Sequence, residues 1–434
     1  MDDSAAISTA GATDDPAALA TLARRVLPGG SFGNFAAEPI IREGKASHVW
    51  DVAGREYIDY LIGSGPMIVG HCHPDVTAAV QAQVAKGTTF FANSPPGILL
   101  AELIVDAVPC AEKVRFVSSG SEADLYAMRL ARAWRKRDKI LKFEGGYHGM
   151  SDYGLMSLAP RVTANFPTAV PDSPGIPEAV RHEMLVAPYN DLATVTSMLR
   201  EHADEIGGVI VEPCQRIIPP QPGFLQGLRA ITAELGIPLI FDEVVTGFRY
   251  AYGGAQEFYG VVPDICTLGK VCGGGFPLAA IAGKAEIMTL FDKEVMGEDK
   301  FLTQIGTLSG NPVASAAGFA TMKIMRAPGA YERLFATGRA LMASLSESLR
   351  RHGIPGQVLG EAPMFDVVFA EGPMRDYRDV QRGDKALNKR FNALLRERGI
   401  LKSEGKHYVS LALTEQDVAD TCAAYDWALA KLVA

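Results

Sequence analysis

Between Lys113 and Ala282 the chain alternates short apolar runs with segments of helical period, and few folds accommodate that order. Lys113–Ser118, Lys139–Phe143, Gly208–Glu212, Pro238–Asp242, Ile265–Leu268 and Ala279–Ala282 read as strands. Glu122–Arg135, Asp191–His202 and Gly223–Leu235 read as the helices between them. Strands joined through single helices require crossovers, so the pattern predicts an α/β fold with a mainly parallel sheet covered on both faces. Ligands of such sheets gather at the carboxyl ends of the strands.

The flanks follow another pattern. Val49–Val52 and Glu56–Tyr60 around Ala53-Gly54-Arg55 read as a hairpin. Beyond Pro312 come helical patterns to about Arg326, over Tyr331–Arg351, Lys385–Glu397 and Glu415–Leu432, with strands at Phe365–Phe369 and Tyr408–Leu413. These predict a smaller α+β domain built from both ends of the chain. The expected division is a disordered tail over 1–15, part of the small domain over 16–63, a large domain over 64–311 and the rest of the small domain over 312–434. The stretch Gly145–His182, rich in Gly, Pro and Ser, is long for a loop without a function.

Composition narrows the partners. Of 434 residues 48% are apolar and 21% charged, enough apolar surface to offset the entropy of ordering. A net charge of −8 gives no broad grip on nucleic acid phosphates and no polybasic membrane surface. No run of about 20 apolar residues could span a bilayer. The acidic start Met1-Asp2-Asp3-Ser4 is unlike a secretory signal, and the six scattered cysteines suit reduced thiols, so a cytoplasmic location is expected. The Arg132–Arg137 cluster reads as a solvated helix end.

Three segments carry candidate chemistry. Ser118-Ser119-Gly120-Ser121-Glu122 lies where a strand gives way to a helix, so its free N–H groups suit a phosphate; a plain helix cap is the simpler reading. Asp242-Glu243 ends an apolar strand, and a buried carboxylate needs a partner: a metal, a cationic ring nitrogen or a helix terminus. Lys270 sits between Gly269 and Gly273-Gly274-Gly275 at another strand end. Desolvation would make its amine a nucleophile; otherwise it is a surface lysine beside a flexible loop. A phosphate cradle, a buried carboxylate and a lysine, in that order, are what pyridoxal 5'-phosphate requires. Tyr147, in Gly145-Gly-Tyr-His-Gly149, offers a flat partner for the ring. His71-Cys72-His73 lies between Gly70 and Pro74 and reads as a structural turn, so no metal site is expected.

From about Leu27 onward the chain resembles the class III (subgroup II) aminotransferases of fold type I, and within them the glutamate-1-semialdehyde 2,1-aminomutase branch. The resemblance rests on Leu27-Pro-Gly-Gly30, Trp50-Asp51, Gly70-His-Cys-His-Pro74, Ser119-Gly-Ser-Glu-Ala123, Lys142-Phe-Glu-Gly-Gly-Tyr-His-Gly149, Asp242-Glu-Val-Val-Thr-Gly-Phe-Arg249, Leu268-Gly-Lys270 and Gly306-Thr-Leu-Ser-Gly-Asn-Pro312. It implies a seven-stranded, mainly parallel sheet and a pyridoxal-phosphate enzyme. It implies Lys270 as the Schiff-base lysine and proton shuttle, and Asp242 as partner of the pyridinium nitrogen. Tyr147 and Val244 would pack on the two ring faces, and Ser119, Gly120 and Ser121 would hold the phosphate. Glu212 would lie near the ring hydroxyl, and His148 would support the site. Thr307 would reach the phosphate of a neighbouring subunit's cofactor, which implies a homodimer with shared sites.

The chain departs from the aminomutase pattern in places that touch substrate. Ser31–Glu38 is short and holds no arginine where that branch carries a carboxylate anchor. Ser64 replaces the branch's tryptophan before Gly65-Pro66. The loss of a bidentate fork and the added room both point away from glutamate-1-semialdehyde. Arg216 is a candidate carboxylate ligand or a plain surface arginine. Phe32, with Phe35, Phe90 and Phe91, is a candidate pocket wall or core. The expected activity is therefore transfer of an amino group between an amine or non-α-amino acid and a keto acid. The aminomutase reaction is the alternative, and a non-catalytic binding protein a third reading that the intact Lys270, Asp242 and Tyr147 set opposes.

Overall fold

The computed structural model describes residues 15–433. The 1–14 part of the expected tail lies outside them, and Asp15 is structured: its carboxylate caps the helix Pro16–Val26 by accepting from the Ala17 N–H.

A seven-stranded sheet forms the centre, in the order Lys113–Val117, Ala279–Gly283, Ile265–Leu268, Leu239–Glu243, Ile206–Val211, Lys139–Phe143, Met184–Ala187. Ala279–Gly283 runs antiparallel to both neighbours, and the remaining pairs are parallel. Its strands are apolar on both faces because both are covered. Ile140, Val186, Ile210, Ile240 and Ile265 enter one core, and Leu141, Leu185, Val209, Leu239 and Cys266 enter the other. Each such fully buried side chain contributes roughly 1.5–3 kcal/mol. The sequence reading missed Met184–Ala187, an edge strand of four residues preceded only by the short helix Glu178–His182 at the end of the long Gly/Pro-rich loop.

Both ends of the chain build the second unit. The hairpin His48–Asp51/Glu56–Asp59 forms as expected, and Ile400–Leu401 joins it in parallel. Gln357–Glu361, Met364–Val368 and His407–Tyr408 form a small antiparallel sheet. The expected strand Tyr408–Leu413 is thus cut to its first residue. Beyond it the chain stays extended only to reach single acceptors, with Val409 N–H donating to Pro363 O (3.1 Å) and Leu411 N–H to Ile68 O (2.7 Å).

Helix Pro312–Met325, assigned above to the small domain, packs on Pro74–Val84, Pro95–Ala107 and the turn at Lys270. Ala314, Ala317 and Met322 share one core with Leu100 and Leu103. Arg135 is not a solvated helix end: it donates to Ala203 O at 2.6 Å and Gly236 O at 3.1 Å, tying its helix to two neighbouring segments. Among the described residues no helix is long and apolar enough to cross a membrane.

Candidate active site

The parallel strands bring their carboxyl ends to one side, and chain segments far apart in sequence meet there. Val117 leads into helix Gly120–Arg135, Phe143 into the Gly145–Gly149 loop, Val211 into Glu212, and Leu268 into Lys270; Asp242 is the penultimate residue of its strand. Strand pleating separates Asp242 from Glu243. Glu243 turns to the opposite face, where its carboxylate accepts from Gln256 Nε2 (2.9 Å), Thr246 Oγ1 (3.2 Å) and two backbone N–H groups. Burial still keeps its pKa above the usual carboxylate range. Asp242, also buried, takes His148 Nδ1 at 2.8 Å and the Val244 N–H at 3.1 Å. Of the paired acids, one is thus consumed by the fold and one faces the site.

The helix-cap reading of Ser118–Glu122 holds, and the cap leaves the first turn open. Ser119 and Glu122 form a capping box, each side chain accepting from the other's backbone N–H. Gly120 and Ser121 then occupy the first turn, where N–H groups have no intrahelical acceptor. Ser121 Oγ accepts from the Met150 N–H at 3.1 Å, which leaves its own proton free to donate. Gly149 is required there: its φ is +76°, and a Cβ would come within 2.5 Å of Ser121 Cα.

Val244 inserts between two glycines. A Cβ on Gly120 would lie 2.8 Å from Val244 Cγ1, and one on Gly269 3.1 Å from it. Tyr147 donates its N–H to Glu212 Oε2 at 2.9 Å, and the Arg216 guanidinium lies 5.0 Å from the centre of its ring. Arg216, in the left-handed region at φ +61°, also donates Nε–H to Gly145 O at 3.2 Å. Behind this loop, buried Lys142 donates to Gly146 O (3.1 Å) and Gly154 O (2.9 Å). Burial pulls its pKa down to about 7 from 10.5. Unfolding between those values takes up a proton, so stability rises with pH across that window and is flat below it. Wild type should gain up to about 1.4 kcal/mol per pH unit more than Lys142→Met between pH 7 and 10, measured by denaturant unfolding. Equal slopes would contradict this.

Lys270 follows Gly269 in the left-handed region, at φ +49°. Burial lowers its pKa below the usual lysine value, with Tyr408, Asp242 and Asp124 opposing and Lys406 assisting. A Cβ on Gly65 would meet Tyr408 Cε1 at 3.1 Å and Lys270 Cδ at 3.4 Å, so the Gly63–Pro66 turn closes directly on the lysine stem. Fully buried Arg249 fixes that turn, donating to Gly65 O, Pro363 O and Val409 O. Its guanidinium lies 5.1 Å from the Tyr408 ring centre. Burial pushes the Tyr408 phenol up, but Lys406, Lys270 and Arg249 bring it below the usual tyrosine value. Tyr408 and Asp124 are the neighbours that sequence reasoning missed: Tyr408 looked like an ordinary strand residue, and Asp124 like a polar position on an amphipathic helix.

Ser64, Arg216, Lys406 and Tyr408 line one cleft of about 430 Å3. Phe32 stands 85% exposed outside it. Thr307 lines a separate cleft of about 390 Å3 with Phe90 and Phe91. His71 and His73 are engaged in the fold: His71 Nε2 bonds Asp59 at 2.8 Å, and His73 caps helix Pro74–Val84.

A pyridoxal phosphate fits this donor set. The open helix N-terminus suits the dianion, Val244 packs tightly against Gly120 and Gly269, and the buried Asp242 carboxylate suits a cationic ring nitrogen. Residues 34–422 match the family described as aminotransferase class-III. The chain belongs to the class-III aminotransferases. This aminotransferase is 35% identical to an omega-transaminase from Sphaerobacter thermophilus, over 98% of this chain and 99% of that one, with a TM-score of 0.91. It is 31% identical to a beta-phenylalanine aminotransferase from Variovorax paradoxus, over 96% and 94%, at a TM-score of 0.85. A glutamate-1-semialdehyde-aminomutase from Pseudomonas aeruginosa PAO1 shares the fold at 23% identity, 96% and 94% coverage and a TM-score of 0.87. The transaminases, rather than the aminomutase branch, are thus the better guide. The enzyme uses pyridoxal 5'-phosphate.

Proposed function

We propose that this aminotransferase moves an amino group between an amine or non-α-amino acid and a keto acid, with Lys270 as the covalent anchor of the cofactor. The observation that carries this is the convergence of Lys270, the Asp242–His148 pair, Tyr147 and the free first turn at Gly120 and Ser121 on one sheet edge. When bound, the cofactor supplies a protonated ring that accepts an electron pair from the substrate carbon. Asp242 holds that proton on the ring nitrogen, and His148 holds Asp242. Tyr147 and Val244 confine the ring from its two faces. Gly120 and Ser121 hold the phosphate, while Ser119 serves it indirectly by fixing the helix start. Glu212 places the Tyr147 loop. The lowered pKa of Lys270 suits an amine that must be neutral to take a proton from the amine-bearing carbon.

Arg216 and Lys406, on the cleft wall, form no ion pair with an acid among the described residues and suit a substrate carboxylate. Arg216→Ala should raise KM for the keto acid roughly 10–100-fold, the range for one charge-assisted hydrogen bond, with kcat nearly unchanged. Initial rates over a panel of keto acids, amines and β-amino acids read this directly. An unchanged KM for every acid would contradict it. Glutamate-1-semialdehyde belongs in the same panel: with Ser64 in place of an aromatic wall, 5-aminolevulinate should form poorly. Efficient formation would establish the aminomutase reading instead.

The enzyme acts as a homodimer in this reading. Phe90 and Phe91, 50% and 69% exposed beside Thr307, are apolar surface that a second copy would cover. A monomer by light scattering at working concentration would contradict it. The cysteines of the described residues are free, which suits a cytoplasmic enzyme.

A further inference from the structure

Asp124 lies on the second turn of helix Gly120–Arg135, 2% exposed, and no cation pairs with it among the described residues. Its Oδ1 accepts the Thr267 hydroxyl proton at 2.7 Å. Thr267 stands opposite Asp242 in the sheet register, and its oxygen is 3.4 Å from Asp242 Oδ1. One oxygen or nitrogen from each of Asp124, His148 and Asp242 lies within 4.8 Å of the others. Two carboxyl groups so close in a dry site cannot both ionise. The donors decide which keeps the proton. Asp242 already receives two, from Val244 N–H and His148 Nδ1, whereas Asp124 receives only the Thr267 hydroxyl. Donors stabilise the charged form, so the negative charge settles on Asp242 and the proton on Asp124.

We propose that Asp124 is held as a neutral carboxylic acid that donates a hydrogen bond to Asp242 and so positions Asp242 as the single carboxylate facing the cofactor ring. This rests on the assignment of Asp242 to the ring nitrogen. Asp124 is a positioning residue, acting only through Asp242. The titratable groups facing it are Asp242 from the adjacent strand, His148 and Tyr147 from the loop, and Lys270 past the end of its strand. Burial raises its proton affinity, and the Asp242 charge raises it further, in the same direction as the donor count.

The test compares Asp124→Asn and Asp124→Ala with wild type, all as holoenzymes. Asparagine keeps a neutral side chain with an N–H donor; alanine loses the donor. Asp124→Asn should keep kcat within about threefold and leave the pH midpoint of the cofactor's visible absorption band unmoved. Asp124→Ala should lower kcat about tenfold or more at constant KM and shift that midpoint. Infrared spectra of protein labelled with 13C-aspartate should contain a protonated carboxyl stretch in wild type that Asp124→Asn removes. A wild-type spectrum without that stretch, or Asp124→Asn as impaired as Asp124→Ala, would overturn the proposal. If Asp124→Ala does not fold, the infrared comparison with Asp124→Asn decides alone. A carboxyl stretch in protein whose visible band and turnover are unaltered by Asp242→Asn would instead overturn the reading of Asp242, and this inference with it.

Discussion

Lys270→Ala should lower turnover by roughly four orders of magnitude, the upper end for a positioned acid–base group, while the protein still folds and still binds pyridoxal phosphate non-covalently. The reason is that among the described residues no other amine shares its position. Lys142 is behind the Gly145–Gly154 loop, occupied by two carbonyls, and Lys406 lies across the Tyr408 ring, 5.7 Å from its centre. The fold should tolerate the change, because Lys270 makes no hydrogen bond that anchors an element. Steady-state rates measure the loss, and dialysis against free cofactor measures retention. Multiple turnovers in this variant would contradict the assignment.

Asp242→Asn should cost roughly a thousandfold in kcat/KM, with cofactor retained. Removing one preorganised charge that stabilises the reacting group in a dry site costs about 4 kcal/mol of barrier, which is close to three factors of ten. Asparagine preserves the shape and can still accept from the Val244 N–H, but it carries no charge to hold a proton on a ring nitrogen. His148 loses its carboxylate acceptor, and its Nε2 is already buried without a partner. The loss should fall on kcat more than on KM, since the cleft that binds substrate is untouched. A loss below tenfold would mean that Asp242 is structural and that the ring partner lies elsewhere.

These residues differ in how far the sequence exposes them. Lys270, Asp242 and Tyr147 were legible because each breaks a local rule: a lysine among glycines, an acid ending an apolar strand, an aromatic in a glycine loop. The alternation that fixed the sheet was equally visible, since both pleat faces of each strand had to be apolar. Pattern alone left Asp242 and Glu243 equivalent; the resemblance singled out Asp242, and the pleat gives each its face. Asp124 was hidden because an acid on an amphipathic helix breaks no rule; only the register that sets Thr267 beside Asp242 gives it meaning. Tyr408 was likewise silent, since its surroundings come from Gly65, Arg249 and Lys270, which are remote in sequence. Phe32 lies outside the cleft of this chain, because sequence proximity to a motif does not fix which cavity a side chain enters.

The most direct test of the covalent anchor is borohydride reduction of the holoenzyme followed by peptide mass mapping. The cofactor mass should appear on the peptide that contains Lys270. Its appearance on Lys142 or Lys406, or on no lysine at all, would contradict the account.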